Sequence, residues 1–441
     1  MSADVRVSAA VRSAGVRSAY RTERRKLAAQ ASVRALALVC LIGPLAFAAV
    51  LRLQGGVPGD ALFGVWVHSS GFAVSLVLLA FAGNWGFPVI AGVVAGDLFS
   101  HEDRLGTWKT VLTRSCSRRE LFAGKALAAA VVVIAMAVLA AIASLVAGLV
   151  VTGDQALVGL GGTLISPAAC LGLVLASWLA CLPPLLAFTG LAVLFSVATR
   201  NGIMGVLGPL LVALALQLLA LIGKGTVVHL LLVSSAFDGW HGLFTAHPFY
   251  GPLVLGIFVS AAWLAACLGA AWLLLRRRDF AGPPVARRAG WVAPVRVAAG
   301  SAVVLALLAA ASSWGPTAIT ATRLRDAITP TFNNLTVLQQ EQLGRRIPAG
   351  AHLTIVASCS RRAGVGPGPG DWTCTLDVFI PQPGGVPFQQ TPVTYDVSVQ
   401  SNGCYKAEAP LSLVGQQTMR AADGSIFVNP LFTFYGCFDI N

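Results

Sequence analysis

Between residues 101 and 125 the stretch HEDRLGTWKTVLTRSCSRRELFAGK holds six Lys/Arg and three Asp/Glu, whereas Ala61 to Gly96 before it and Ala126 to Gly153 after it carry no Lys, Arg, Asp or Glu. Mixed charges packed this closely suit ion pairing with a soluble partner. Other chemistries lack their residues. The nearest approach to a Walker A phosphate loop, Gly223-Lys224-Gly225-Thr226, lacks the upstream Gly and the Lys-Ser/Thr pair, so ATP hydrolysis has to come from a partner. His68, His229, His241 and His247 show neither HExxH nor cysteine-paired spacing, so no metal site is expected and solvated or interfacial roles are. No Gly-x-Ser-x-Gly elbow supports a hydrolase, and Cys40, Cys116, Cys170, Cys181 and Cys267 are expected to pack as small apolar side chains.

The elements that position this interval follow from composition. The chain has 441 residues, 56% hydrophobic and 11% charged, against roughly a quarter charged in an ordinary soluble domain. A span needs about 20 apolar residues. The sequence predicts seven spans: Val33–Leu51, Gly71–Val94, Leu121–Val151, Leu164–Val197, Gly202–Ile222, Tyr250–Leu275 and Val297–Trp314. The fold class expected is therefore an all-α polytopic membrane protein, six helices plus a seventh span, followed by a small α+β domain.

Basic residues orient these spans, because cytoplasmic loops retain them in excess. The N-terminal tail, the 101–125 interval, Arg200 and the segment 276–296 hold 21 of the 31 Lys/Arg, whereas the outer loops 52–70, 152–163 and 223–249 hold only Arg52 and Lys224. The N-terminus is thus expected inside and the C-terminus outside the cytoplasmic membrane. The run 155–199 is long enough for two spans, but two would put Arg276, Arg277 and Arg278 outside. One helix broken at Pro183-Pro184 is preferred, the break facing protein because lipid cannot satisfy the freed backbone groups. Residues 1–32 read as a basic cytoplasmic tail. Their Arg- and Ser-rich composition is also that of a transit peptide, but they lead straight into a span with no evident processing site. The net charge of +13 resides wholly in the membrane part, so topology accounts for it and nucleic-acid binding is not expected.

The interval 97–120 reads as a short cytoplasmic elbow after Pro88, Asp97 and Phe99. Leu105, Trp108, Val111 and Leu112 fall on one side of a helix, with Trp108 expected at headgroup level, while Arg104, Lys109 and Arg114 lie elsewhere. The residues also carry a resemblance. Glu102, Gly106-Thr107, Leu112-Thr113, Ser117-Arg118 and Gly124-Lys125 resemble the E-x-x-x-G-T … L-T-x-P-x-S-R … G-K signature of permease subunits of ABC transporters with the type-two exporter membrane domain. Ser115 stands where that family usually has Pro. Glu23 followed by Lys26 is similar to the family's acidic-then-basic patch before its first span. The resemblance covers about residues 20–278.

It implies that Glu102, Gly106, Thr107, Arg118 and Lys125 couple the spans to a separate cytoplasmic ATPase subunit. It further implies a dimer with a second permease copy or a paralogue, ATP and Mg on the partner rather than a cofactor in this chain, and a membrane lipid environment. Loop 223–249 is, by the same resemblance, re-entrant.

Residues 315–441 differ in composition, following a cytoplasmic linker (279–296) and the seventh span. TFNNLTVLQQEQL, Thr331 to Leu343, places Phe332, Leu335 and Leu338 at helical spacing, with Gly344 to end it. Thr373–Ile380, Val393–Val399 and Ile426–Phe438 read as strands, Asn402-Gly403 as a hairpin turn, and Gly364–Gly370 as a loop. Four cysteines permit three pairings. Cys359 ends one strand and Cys374 begins the next, which favours that pair and leaves Cys404 with Cys437; such bridges persist in an oxidising compartment.

The leading expectation is a permease subunit of an ATP-driven exporter moving a hydrophobic or amphipathic substrate. Middle spans lacking Asp, Glu, Lys and Arg disfavour an ion-coupled carrier or channel, and an envelope receptor or scaffold is the third class.

Overall fold

The structure is a computed structural model that describes residues 3–54, 61–108, 117–221, 232–278, 319–345, 354–362, 366–380, 388–389 and 392–440. The seventh span, the linker 279–296 and the part of the elbow at 109–116 lie outside the described residues. Six helices among the described residues are long and apolar enough to cross a membrane. Helix α1 (Ala3–Ala29) precedes the first of them, α2 (Ala31–Gln54). The second span joins α3 (Gly71–Phe81) and α4 (Phe87–Ala95) through a π turn at Ala82–Gly86 and runs on to the short α5 (Ser100–Leu105). The others are α6 (Arg118–Val151), α7 (Pro167–Ala180) with α8 (Leu182–Thr199), α9 (Gly202–Leu221) and α10 (Gly251–Arg276).

Interruptions in the spans occur where a neighbour satisfies them. At the π turn, Gln217 Nε2 donates to the Asn84 carbonyl at 2.6 Å, supplying a partner to the distorted backbone. The fourth span breaks at Cys181, one residue ahead of Leu182, so that Pro183 and Pro184 fall in the first turn of α8, where their missing N–H groups cost nothing. Cys181 and Pro184 are buried, so the break faces protein as expected. Ser75 and Ser144 share a hydrogen bond of 2.9 Å, and Trp178 Nε1 donates to Ser75 Oγ at 3.2 Å, tying α3, α6 and α7 with their polar groups paired. Glycines set the closest helix approaches: a Cβ on Gly205 of α9 would overlap the Gly96 carbonyl after α4.

The N-terminal basic residues do not form a loose tail. They lie on α1, which packs along α6 so closely that a Cβ on Gly124 would meet the Ala19 Cβ at 2.6 Å. This places α1 at the same end of the bundle as α5, Arg200 and Arg278.

At the opposite end a small hairpin, β1 (Leu157–Val158) with β2 (Leu164–Ile165), and 3-10 turns at Gly64–Trp66, Ser235–Asp238 and His241–Phe244 form a platform. Phe63 packs on Phe244 and Trp240 there, with ring centroids 5.1 and 6.3 Å apart.

The C-terminal domain stands on that platform. Its helix α11 (Ala321–Gln342) begins ten residues before the expected start because Thr320 caps it, accepting from the Arg323 N–H. Leu324 and Ile328 also continue the apolar stripe of Phe332, Leu335 and Leu338. The stripe covers one face of an antiparallel sheet of β3 (Thr354–Arg361), β4 (Gly370–Ile380), β5 (Phe388–Gln389), β6 (Val393–Val399) and β7 (Cys404–Glu408), closed by β10 (Thr433–Cys437) beside β7. Phe332, Tyr395 and Phe434 form its aromatic core. Gly403, with φ +81°, makes the turn between β6 and β7.

The expected single strand Ile426–Phe438 is two. β8 (Thr418–Arg420) pairs with β9 (Ile426–Val428) in a separate hairpin, and β10 starts five residues after β9 ends. Asn429-Pro430 explains the break: Pro430 has no N–H for a ladder, and Asn429 Oδ1 accepts from the Leu431 N–H at 3.0 Å while its Nδ2 donates to Val414 O. Cys359 is bonded to Cys374 and Cys404 to Cys437, each pair directly opposite across neighbouring strands.

Candidate functional site at the basic end of the bundle

The elbow is built by two chain reversals. After α4, Phe99 N–H and Ser100 N–H both donate to Ser196 Oγ of α8 at 3.1 Å, which anchors the start of α5. Asp97 accepts from Ser100 Oγ at 2.7 Å and pairs with Arg104 at 3.1 Å. Gly106, with φ +63°, ends α5 after two turns, and Thr107 N–H donates to Glu102 O at 3.2 Å. Ser117 starts α6 with a capping box, its hydroxyl accepting from Glu120 N–H while Glu120 accepts from the Ser117 N–H.

Four charged side chains from three elements meet here. Lys125 Nζ of α6 lies 3.1 Å from Glu23 Oε1 of α1 and 3.3 Å from Glu102 Oε1 of α5, and donates to Leu98 O at 3.0 Å. Lys26 Nζ reaches Glu102 Oε1 at 3.0 Å and Glu23 Oε1 at 3.2 Å. Thr107 Oγ1 donates to the other Glu102 oxygen, so both oxygens are occupied. Glu23, Glu102 and Lys125 are respectively 5%, 3% and 1% exposed. Burial works against the Lys26 charge, but the hydrogen bond and field of Glu102, with Glu23, outweigh it and raise its pKa.

A second cluster lies beside the first. Arg278, just past α10, pairs with Asp103 at 2.9 Å and donates to the Val197 carbonyl of α8. Trp108 Nε1 donates to Asp103 Oδ1 at 2.8 Å. Arg118 Nη1 donates to the carbonyls of Arg278 and Arg276 at 3.0 and 3.3 Å, neutralising the exposed end of α10.

Glu102, Thr107, Lys125, Glu23 and Lys26 are thus brought together, Gly106 shapes the turn beside them, and Arg118 belongs to the second cluster. Two expectations change. Glu102 and Lys125 face inward, whereas Arg104, Leu105 and Gly106 are exposed at the end of α5. Trp108 is buried, stacked 6.4 Å from Phe99, rather than at headgroup level, because the left-handed turn at Gly106 ends the helical periodicity that would put Leu105 and Trp108 on one face. The Asp103–Arg278 pair was not singled out from the sequence; Arg278 carried only a topological reading, although its position at the end of a charge-free span offered a signal.

Such an arrangement binds and positions. Six helices long and apolar enough to cross a membrane, with a charged elbow locked between helices, make the architecture of a multi-pass membrane protein. Residues 20–207 match the family model described as ABC-2 family transporter protein, a segment that contains the whole Glu23–Lys26–Glu102–Lys125 cluster. Over that segment the membrane part is similar to an ABC-2 family transporter protein, its six apolar helices fit a permease, and a β-rich domain follows it. No curated protein matches the chain.

Proposed function

We propose that the chain is the permease subunit of an ATP-driven exporter that moves a hydrophobic or amphipathic substrate out across the cytoplasmic membrane. A separate cytoplasmic ATPase subunit, carrying ATP and Mg, docks on the exposed elbow at Arg104, Leu105 and Gly106, and a second permease copy or a paralogue completes the pathway. The N-terminus is cytoplasmic, and residues 315–441 lie outside. The carrying observation is the ion-pair lattice of buried Glu23, Glu102 and Lys125 with half-exposed Lys26. Separating Glu23, Glu102 or Lys125 from the others strands a charge away from water, which costs several kcal/mol, so α1, α5 and α6 move as one body when the elbow is pushed. Glu102 and Lys125 act as positioning residues, Arg104 as a contact residue.

The test uses the permease co-purified with its ATPase and reconstituted in lipid. Arg104→Glu is expected to weaken retention of the ATPase subunit. Glu102→Gln is expected to keep the subunit bound while lowering substrate-stimulated ATP hydrolysis about tenfold. Full stimulation in both variants would sink the coupling assignment.

A further inference from the structure

The sheet of the C-terminal domain has two unlike faces. Tyr395, Val397 and Val399 of β6 point to α11, whereas Thr394, Asp396 and Ser398 alternate to the other side. Register extends that second face: Asp371 and Lys406 lie opposite Ser398, and Glu408 lies opposite Asp396. A cavity of about 730 Å³ opens over it, its lining including Leu411, Phe432 and Leu62, the last from the outer loop of the membrane part. Its size falls within the range of roughly 300–1,000 Å³ for small-molecule sites.

The lining specifies the ligand chemistry. One part is a flat lattice of hydroxyls and charges already paired among themselves: Arg362 with Asp396, and Lys406 with Glu408 at 3.2 Å. Paired charges keep spare acceptor and donor sites, and with Asp371 the lining carries one net negative charge, of the wrong sign for a polyanion and too little to draw a polycation. The rest of the lining includes apolar Leu62, Leu411 and the half-buried ring of Phe432. An acyl chain would leave the polar part desolvated and unpaired, which is costly. A phosphate group would meet three carboxylates and two cations. A sugar has hydroxyl edges that both donate and accept and C–H faces that stack on apolar surfaces, so it fits both parts.

We propose that this cavity binds a neutral, hydroxyl-rich saccharide between the sheet and the membrane part. The inference goes beyond the permease reading, and because its test involves no ATP, either can fail alone. Full-length protein in lipid nanodiscs is titrated calorimetrically with cello-oligosaccharides, malto-oligosaccharides and N-acetylglucosamine oligomers, with a neutral pentapeptide and inorganic phosphate as competing chemistries. Saturable binding of at least one saccharide is expected. Ser398→Trp, which fills the cavity from an exposed strand position, and the near-isosteric Asp371→Asn should each weaken it about tenfold or more; Arg420→Ala, on the separate hairpin, should leave it unchanged. No saturable binding of any saccharide at millimolar concentration, saturable binding of the peptide or phosphate instead, or equal affinity in both cavity variants would overturn the proposal.

Discussion

The two ends of the molecule are held together by different physics. At the basic end, α1, α5 and α6 meet through a buried charge lattice in which Lys125 is 1% exposed. At the other end the C-terminal domain has an aromatic core around Tyr395 and two disulfides. The solvent explains the contrast. Lipid tails are as apolar as leucine, so burial against lipid-facing helices specifies little, and placement falls to polar groups and close backbone contacts. A small domain in water gains from burying its rings, and cross-links add stability where the core is modest.

This contrast can be broken by removing each kind of tie, beginning where the largest effect is expected. Lys125→Ala leaves Glu23 and Glu102 buried with only Lys26 between them and should destabilise the membrane part by about 4 kcal/mol, read as a fall in detergent unfolding temperature. Loss of the C-terminal domain's melting transition alone, with the membrane part unmoved, would contradict the lattice as its tie. Reduction, or Cys404→Ser with Cys437→Ser, should cost the C-terminal domain about 3 kcal/mol and leave the membrane transition in place. Non-reducing peptide mapping with blocked thiols should recover Cys359–Cys374 and Cys404–Cys437; four free thiols there would refute both the bonds and the outer location.

A smaller effect sharpens the boundary between the regions. Asn334 Nδ2 of α11 donates to Gly161 O in the β1–β2 hairpin at 2.8 Å. Asn334→Leu should remove about 1 kcal/mol of docking, lowering hydrogen-exchange protection of the hairpin about fivefold. Unchanged protection would mean that the aromatic contacts of Phe63 and its neighbours hold the domain without this bond.

Some features were legible from local pattern alone. The apolar runs marked the six spans seen among the described residues, the seventh expected one lying outside them, and strand alternation marked β6 to the residue, Val393–Val399. Cysteine placement next to strand ends pointed to the two bridges. Each depends on contacts close in sequence or on composition over a window, which a single chain displays directly. The break of the fourth span was legible for the same reason, since a proline constrains its own backbone wherever it sits.

What the tertiary structure alone decided concerns groups far apart in the chain. His241, expected near solvent, is buried against Trp240 and lies 3.7 Å from the Cys404 sulfur, because the C-terminal domain covers it. The sequence marked Glu102 and Lys125 as charged and therefore as a surface for a partner. Only the approach of α1, carrying Glu23 and Lys26 from nearly eighty residues away from Glu102, turned them inward. A charge is solvated or buried according to whether opposite charges arrive to replace water, and their arrival is a property of helix packing, which no local pattern encodes.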